Sequence, residues 1–205
     1  MDHNNILAVV LAGGKSKRFG RDKSQVKLGD KILIDYILSE ILDFYNDILI
    51  VANEPIKFLD SNKITLIKDI RKGLGPLGGV FSAMKWVRDN KKDYEWVSTF
   101  PVDTPFFKKD HLSKFYKEID LKKSKLFFMK SKNTRHNIFG LWSLELFEKL
   151  ESALNSGDRK VELWANEIGV KTIDFEYEDN KDPFFNINTE EELEIAKKLL
   201  KNDKL

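Results

Sequence analysis

The chain has 205 residues, and its 35 basic and 33 acidic side chains leave a net charge of only +2, a balance too even to make nucleic acid the default partner. It has no cysteine, which excludes disulfides, thiolate nucleophiles and zinc–thiolate centres. No apolar run is long enough to span a bilayer, and Met1 to Asn5 carry no basic segment before the apolar run that follows, so neither a membrane nor secretion is expected and the cytoplasm is the simplest compartment.

Residues 6–11, Ile-Leu-Ala-Val-Val-Leu, are short, apolar and partly β-branched, which predicts a buried strand. Ala12, Gly13 and Gly14 follow, and then five cations, Lys15, Lys17, Arg18, Arg21 and Lys23. Adjacent glycines let backbone N–H groups approach a ligand, and such a turn forms an anion-binding concavity. The cations add charge-assisted hydrogen bonds suited to phosphate. A polyphosphate cradle at the end of the first strand is the expectation. It is not a P-loop, because Val9 stands where that motif needs its first glycine, and the glycine spacing of the dinucleotide fingerprint is also absent.

Residues 26–31 read as a hairpin-like turn, and residues 32–42 carry apolar side chains at the period of a helix with one buried face. Residues 48–52 predict a second buried strand ending at Asn53, and residues 64–67 a third ending at Asp69. Polar residues at strand ends are where ligands bind in open parallel sheets. Gly73 to Pro76 read as a loop and residues 77–87 as a helix, with Gly78 and Gly79 allowing close approach to a ligand or, equally, to the sheet. Residues 96–100 form a fourth strand running into Pro101-Val102-Asp103-Thr104-Pro105. Two prolines bracketing one carboxylate make a rigid hard-cation ligand, or else a cap for the helix expected over 108–119.

A fifth strand is expected over 125–129, a polar excursion over 130–137, a sixth strand over 138–143 and a helix over 144–153. A turn at 155–158, a helix over 159–168 and an edge strand over 171–177 follow. Thr189 with Glu192 three residues on is a capping box opening a last helix to about residue 200. Trp86, Trp96, Trp142 and Trp164 sit at apolar positions and are expected in the core. The alternation of strands and helices implies a three-layer α/β fold with a mainly parallel sheet.

Several stretches, taken together, resemble the molybdenum cofactor guanylyltransferases over nearly the whole chain: L-A-G-G-x-x-x-R-F-G-x-D-K from Leu11, Asn53, Asp69, Gly75 to Gly79, Phe100 to Phe106, Gly157-Asp158-Arg159 and Asn186-Ile187-Asn188-Thr189. The resemblance implies one Rossmann-like domain over 1–205, its nucleotide part about 1–110 and its acceptor part about 111–205. It implies transfer of GMP from GTP to the terminal phosphate of molybdopterin or Mo-molybdopterin, with release of pyrophosphate and with Mg²⁺ as the cofactor.

By the same resemblance Leu11, Ala12 and Gly13 contact the nucleotide, with Gly14 and Arg18 as additions for phosphate. Lys23 binds phosphates, Asn53 and Asp69 help hold guanosine, and Asp103 holds the metal. Asn186 and Asn188 line the acceptor side or assist the metal, and His136, in a stretch that departs from the family, either touches the acceptor or is a solvated loop histidine. Transient contacts with proteins that deliver and receive the cofactor are expected. Arg135-His136-Asn137 departs from the family pattern, with Asn137 in place of a proline. Rival readings stay open here: a CTP-dependent or sugar-phosphate nucleotidyltransferase, and a non-catalytic nucleotide-binding regulator.

Overall fold

The computed structural model of the protein describes residues 3–13, 23–71, 73–178 and 182–202. Its centre is a seven-stranded sheet in the order β5-β4-β1-β6-β8-β7-β9. The strands are β1 (Ile6–Leu11), β4 (Ile48–Ala52), β5 (Ile64–Lys68), β6 (Trp96–Pro101), β7 (Leu126–Ser131), β8 (Thr134–Ser143) and β9 (Lys171–Phe175). Pairing is parallel throughout except around β8, which runs against both β6 and β7.

Strands β1 and β4 read as unbroken apolar runs because both of their faces are covered. Ile6, Ala8 and Val10 of β1 enter one core with Ile34, Ile37 and Leu38 of α1 (Leu33–Ile41) and Leu112 and Phe115 of α3 (Lys109–Glu118). Leu7 and Val9 enter the other, with α2 (Gly75–Asp89), α4 (Phe147–Asn155) and α5 (Val161–Ile168). Each fully buried large apolar side chain contributes about 1.5–3 kcal/mol. The three layers and the mainly parallel sheet are as the sequence pattern predicts. Trp96, Trp142 and Trp164 are buried and Trp86 partly so.

A third, smaller cluster positions the site. The short hairpin β2 (Lys27–Leu28) with β3 (Lys31–Ile32) packs under the last helix, α6 (Glu190–Asn202). Val26, Leu28 and Leu33 meet Ile187, Leu193 and Ala196 there. The capping box at the start of α6 forms as expected, with Thr189 N donating to Glu192 Oε2 at 2.9 Å and Glu192 N to Thr189 Oγ1 at 3.2 Å. The first and last parts of the chain are thereby clasped together.

Three local expectations are corrected. Helix α2 begins at Gly75 and not Leu77, because Pro76 has no N–H to lose in a first turn. Residues 144–146 form a 3₁₀ turn, capped by Ser143 accepting from Glu145 N, ahead of α4. The polar stretch 130–137 is not an excursion: β7 continues to Ser131, Lys132 and Asn133 turn at φ 44° and 66°, and β8 starts at Thr134. A two-residue turn with both φ values positive suits the twist of a hairpin, but its usual signal is Asn-Gly, which Lys132-Asn133 lacks. Among the described residues no helix is long and apolar enough to cross a membrane.

Candidate active site

The parallel strands β1 and β6 end on one side of the sheet, and a cleft of about 780 Å³ opens above them. Leu11, Ala12 and Gly13 form its floor at the end of β1, and Pro101, Val102 and Asp103 at the end of β6. Ala12 N still donates to Val51 O at 2.9 Å, so the ladder between β1 and β4 carries on into the turn. A Cβ on Gly13 would stand 3.0 Å from Asn53 Nδ2, so the backbone runs here where only glycine leaves Asn53 undisturbed. Asn53 Oδ1 is buried with no hydrogen-bond partner among the described residues, an acceptor that a ligand's N–H or O–H would satisfy.

Asp103 lies at the junction of three chain segments. Its carbonyl oxygen accepts from Ile187 N at 2.9 Å, which fastens residues 186–189 to the end of β6. Lys23 Nζ donates to Asp103 Oδ2 at 2.8 Å and to Asn188 Oδ1 at 2.5 Å. The Lys23 and Asp103 side chains are 16% and 19% exposed, so the pair escapes most of the screening that makes surface ion pairs weak. Asp103 is not a helix cap. Helix α3 starts at Lys109, and its cap is Lys108, whose N–H donates to His111 Nδ1 at 3.1 Å.

The opposite wall is the start of β8. Its side chains at 134–139 line the cleft, together with Asn186 and Asn188. The His136 ring stacks on Phe184 with centroids 4.0 Å apart and planes 13° apart, and its Nε2 shares a 2.6 Å hydrogen bond with Ser131 Oγ. Burial pushes its pKa down to about 4, against the opposing pull of Asp182, so the ring is neutral near pH 7.

The structure therefore brings Leu11, Ala12, Gly13, Lys23, Asp103, His136, Asn186 and Asn188 into one cleft. Asn53 stands behind Gly13 and not on the surface of the cleft. Asp69 follows β5 as expected but does not line the cleft either: its Oδ1 accepts from Ser82 Oγ at 2.9 Å and Arg71 N at 3.2 Å, tying the strand end to α2. Gly79 serves packing, since a Cβ there would lie 2.9 Å from Leu11 Cδ2. Gly14 and Arg18 lie outside the described residues. The sequence pattern did not select Arg135 or Asn137 as site residues, because their place on the wall depends on the hairpin it read as irregular.

A mainly parallel sheet that gathers a glycine turn, a lysine and a carboxylate into one cleft at its strand ends is the frame of a nucleotidyltransferase. Residues 8–168 match the family model of the MobA-like NTP transferase domain. The chain belongs to that family. It is 32% identical over 205 residues to the molybdenum cofactor guanylyltransferase of Rhizobium rhizogenes, covering 97% of this chain and 94% of that one. Two solved structures share the fold. The molybdopterin-guanine dinucleotide biosynthesis protein A of Archaeoglobus fulgidus superposes with a TM-score of 0.75 at 24% identity, covering 96% of this chain and 99% of that one. The 4-diphosphocytidyl-2C-methyl-D-erythritol synthase of Anaerococcus prevotii gives 0.72 at 15% identity, covering 98% and 97%.

Proposed function

We propose that the protein transfers GMP from GTP to the terminal phosphate of molybdopterin or Mo-molybdopterin and releases pyrophosphate. The observation that carries this is the meeting of Lys23, Asp103 and Asn188 beside the glycine turn of β1. Similarity over 97% of the chain to a relative named for this activity supports the choice of substrates.

In the reaction an oxygen of the acceptor phosphate bonds to the α-phosphorus of GTP, and the bond from that phosphorus to the bridging oxygen of pyrophosphate breaks. The attacking group is already an anion, so no side-chain nucleophile or covalent intermediate is required. The barrier is repulsion between phosphates, and cations and positioning lower it. Main-chain groups of Leu11, Ala12 and Gly13 hold the nucleotide, Asn53 and Asp69 support the guanosine side from behind the cleft surface, Asn53 against Gly13 and Asp69 through its tie to α2, and Lys23 neutralises phosphate charge. Gly14 and Arg18 extend that grip on phosphate. His136, Asn186 and Asn188 face the acceptor in the part of the chain after about residue 111.

Asp103, with Asn188 beside it, would hold Mg²⁺. The donor set fits: a carboxylate and an amide oxygen, both hard, already converge on the ammonium of Lys23. When bound, Mg²⁺ offsets the charge that develops on the phosphates. Brief contacts with proteins that deliver and receive the cofactor complete the reading.

Calorimetry of GTP, CTP, ATP and UTP binding with Mg²⁺ tests it. GTP is expected to bind most tightly. A preference for CTP would keep the phosphate chemistry and remove the guanylyl assignment, and binding of no nucleotide would overturn the reading.

A further inference from the structure

Arg135 is the second residue of β8. The register of Thr99 with Gly140 carries the first residues of β8 past the end of β6 at Pro101, on the side of the cleft away from β1. This wall departs from regular strand. Phe128 pairs with Gly140 while its neighbour Met129 pairs with His136, so residues 137–139 bulge out, and they line the cleft.

The guanidinium on this wall is fixed from three directions. Nε donates to Asn137 Oδ1 at 2.7 Å, Nη1 to Asn166 Oδ1 at 2.7 Å, and Nη2 to the carbonyl oxygen of Glu162 at 3.1 Å. The ring of Phe128 lies 5.8 Å from its centre. All three acceptors are uncharged, and no carboxylate among the described residues pairs with Arg135. A guanidinium has five N–H groups, so these contacts leave two of them without a partner among the described residues, available to a ligand. Lys23, in contrast, has its charge matched by Asp103. A rigid, unneutralised, forked cation in a cleft that handles phosphates is a phosphate receptor.

We propose that Arg135 recognises the phosphate monoester of the acceptor, with Asn137 as its positioning residue. The proposal rests on the functional reading above. The same chemistry could come from the phosphates of GTP. The acceptor is favoured because β6 separates β8 from β1, where the nucleotide turn sits. A residue that only tied β8 to α5 would need no charge and would affect both substrates through stability alone.

The test is steady-state kinetics of dinucleotide formation by the wild type, Arg135→Ala, Arg135→Lys and Asn137→Ala, varying acceptor at saturating GTP and then the reverse, with melting temperatures alongside. Arg135→Ala is expected to raise the KM for acceptor about tenfold to a hundredfold, the scale of hydrogen bonds to a charged group, and to leave the KM for GTP unchanged. Arg135→Lys should recover part of the loss, since it keeps the charge without the fork. Asn137→Ala should give a smaller rise in the same constant. If Arg135→Ala does not fold, the other two variants carry the same readout. An unmoved acceptor KM would overturn the proposal alone. A rise confined to the KM for GTP would move Arg135 to the nucleotide. A wild type that makes no dinucleotide would instead sink the functional reading, and this proposal with it.

Discussion

On the β1 side of the cleft the candidate site residues stand at the ends of regular parallel strands, whereas on the β8 side they stand on an antiparallel hairpin with a three-residue bulge. On the first wall the ladder itself sets position: Ala12 is still bonded to Val51, and Gly13 abuts Asn53. On the second wall side chains set position, through Arg135 held by Asn137 and Asn166 and through His136 held between Phe184 and Ser131. A ladder holds its geometry against most side-chain changes, and a side-chain web does not. The wall at the end of β1 is therefore fixed by backbone, and the wall at the start of β8 by side chains.

The largest expected effect falls between the two walls. Lys23→Ala and Asp103→Ala should each lower kcat by about a hundredfold to a thousandfold, as loss of one preorganised charge partner does elsewhere, while circular dichroism shows a folded protein. An active Asp103→Ala would remove that carboxylate from the mechanism. Next is Gly140→Ala, which sharpens the contrast. Its Cβ would lie 2.2 Å from Phe128 Cδ1 and 2.7 Å from Phe127 O, an overlap that costs about 1–3 kcal/mol or more in stability. Below the lowered melting temperature, GTP affinity should survive, because the strain falls on β8 and not at the end of β1. Loss of GTP binding in the folded variant would show that the walls are not separable.

Asn53→Ala should divide stability from binding. It removes a buried acceptor that has no partner among the described residues, so unfolding free energy should hold or rise by about 1 kcal/mol while GTP binds more weakly. A destabilised variant with unchanged GTP affinity would make Asn53 structural. The last expectation is a pH dependence at the start of β8. Burial lowers the His136 pKa to about 4, below its unfolded value near 6.5, so between these pH values the unfolded chain binds more protons. Stability should therefore fall as pH drops from about 6.5 to about 4 and be fully present above that window. His111, also lowered by burial, acts in the same direction. Thermal melts of His136→Gln should keep only part of the slope, and an unchanged slope would place the titration elsewhere.

The first wall was readable from the chain because its signals are local. Strands β1 and β4 match their apolar runs residue for residue, and the Thr189–Glu192 box marks the start of α6 through contacts three residues apart. Lys23 and Asp103 stood out in their own stretches and Asn188 only through the family resemblance, but their meeting spans 80 and 165 positions and depends on α6 packing over the β2–β3 hairpin. The second wall was hidden for a different reason. Lysine at a positive φ gives no turn signal, and a bulge is a property of two paired strands, so nothing in residues 130–137 alone announces it. Asp69 shows the limit from the other side: its place after a strand was clear, and its engagement by Ser82 was not.

The most direct test of guanylyl transfer at the Lys23–Asp103–Asn188 junction follows an α-phosphate label from GTP into product, with molybdopterin and Mg²⁺ present. The account predicts a labelled guanine dinucleotide, pyrophosphate in equal amount, and loss of both in Asp103→Ala. No labelled dinucleotide from the wild type, label taken from CTP in preference to GTP, or full transfer by Asp103→Ala would contradict it.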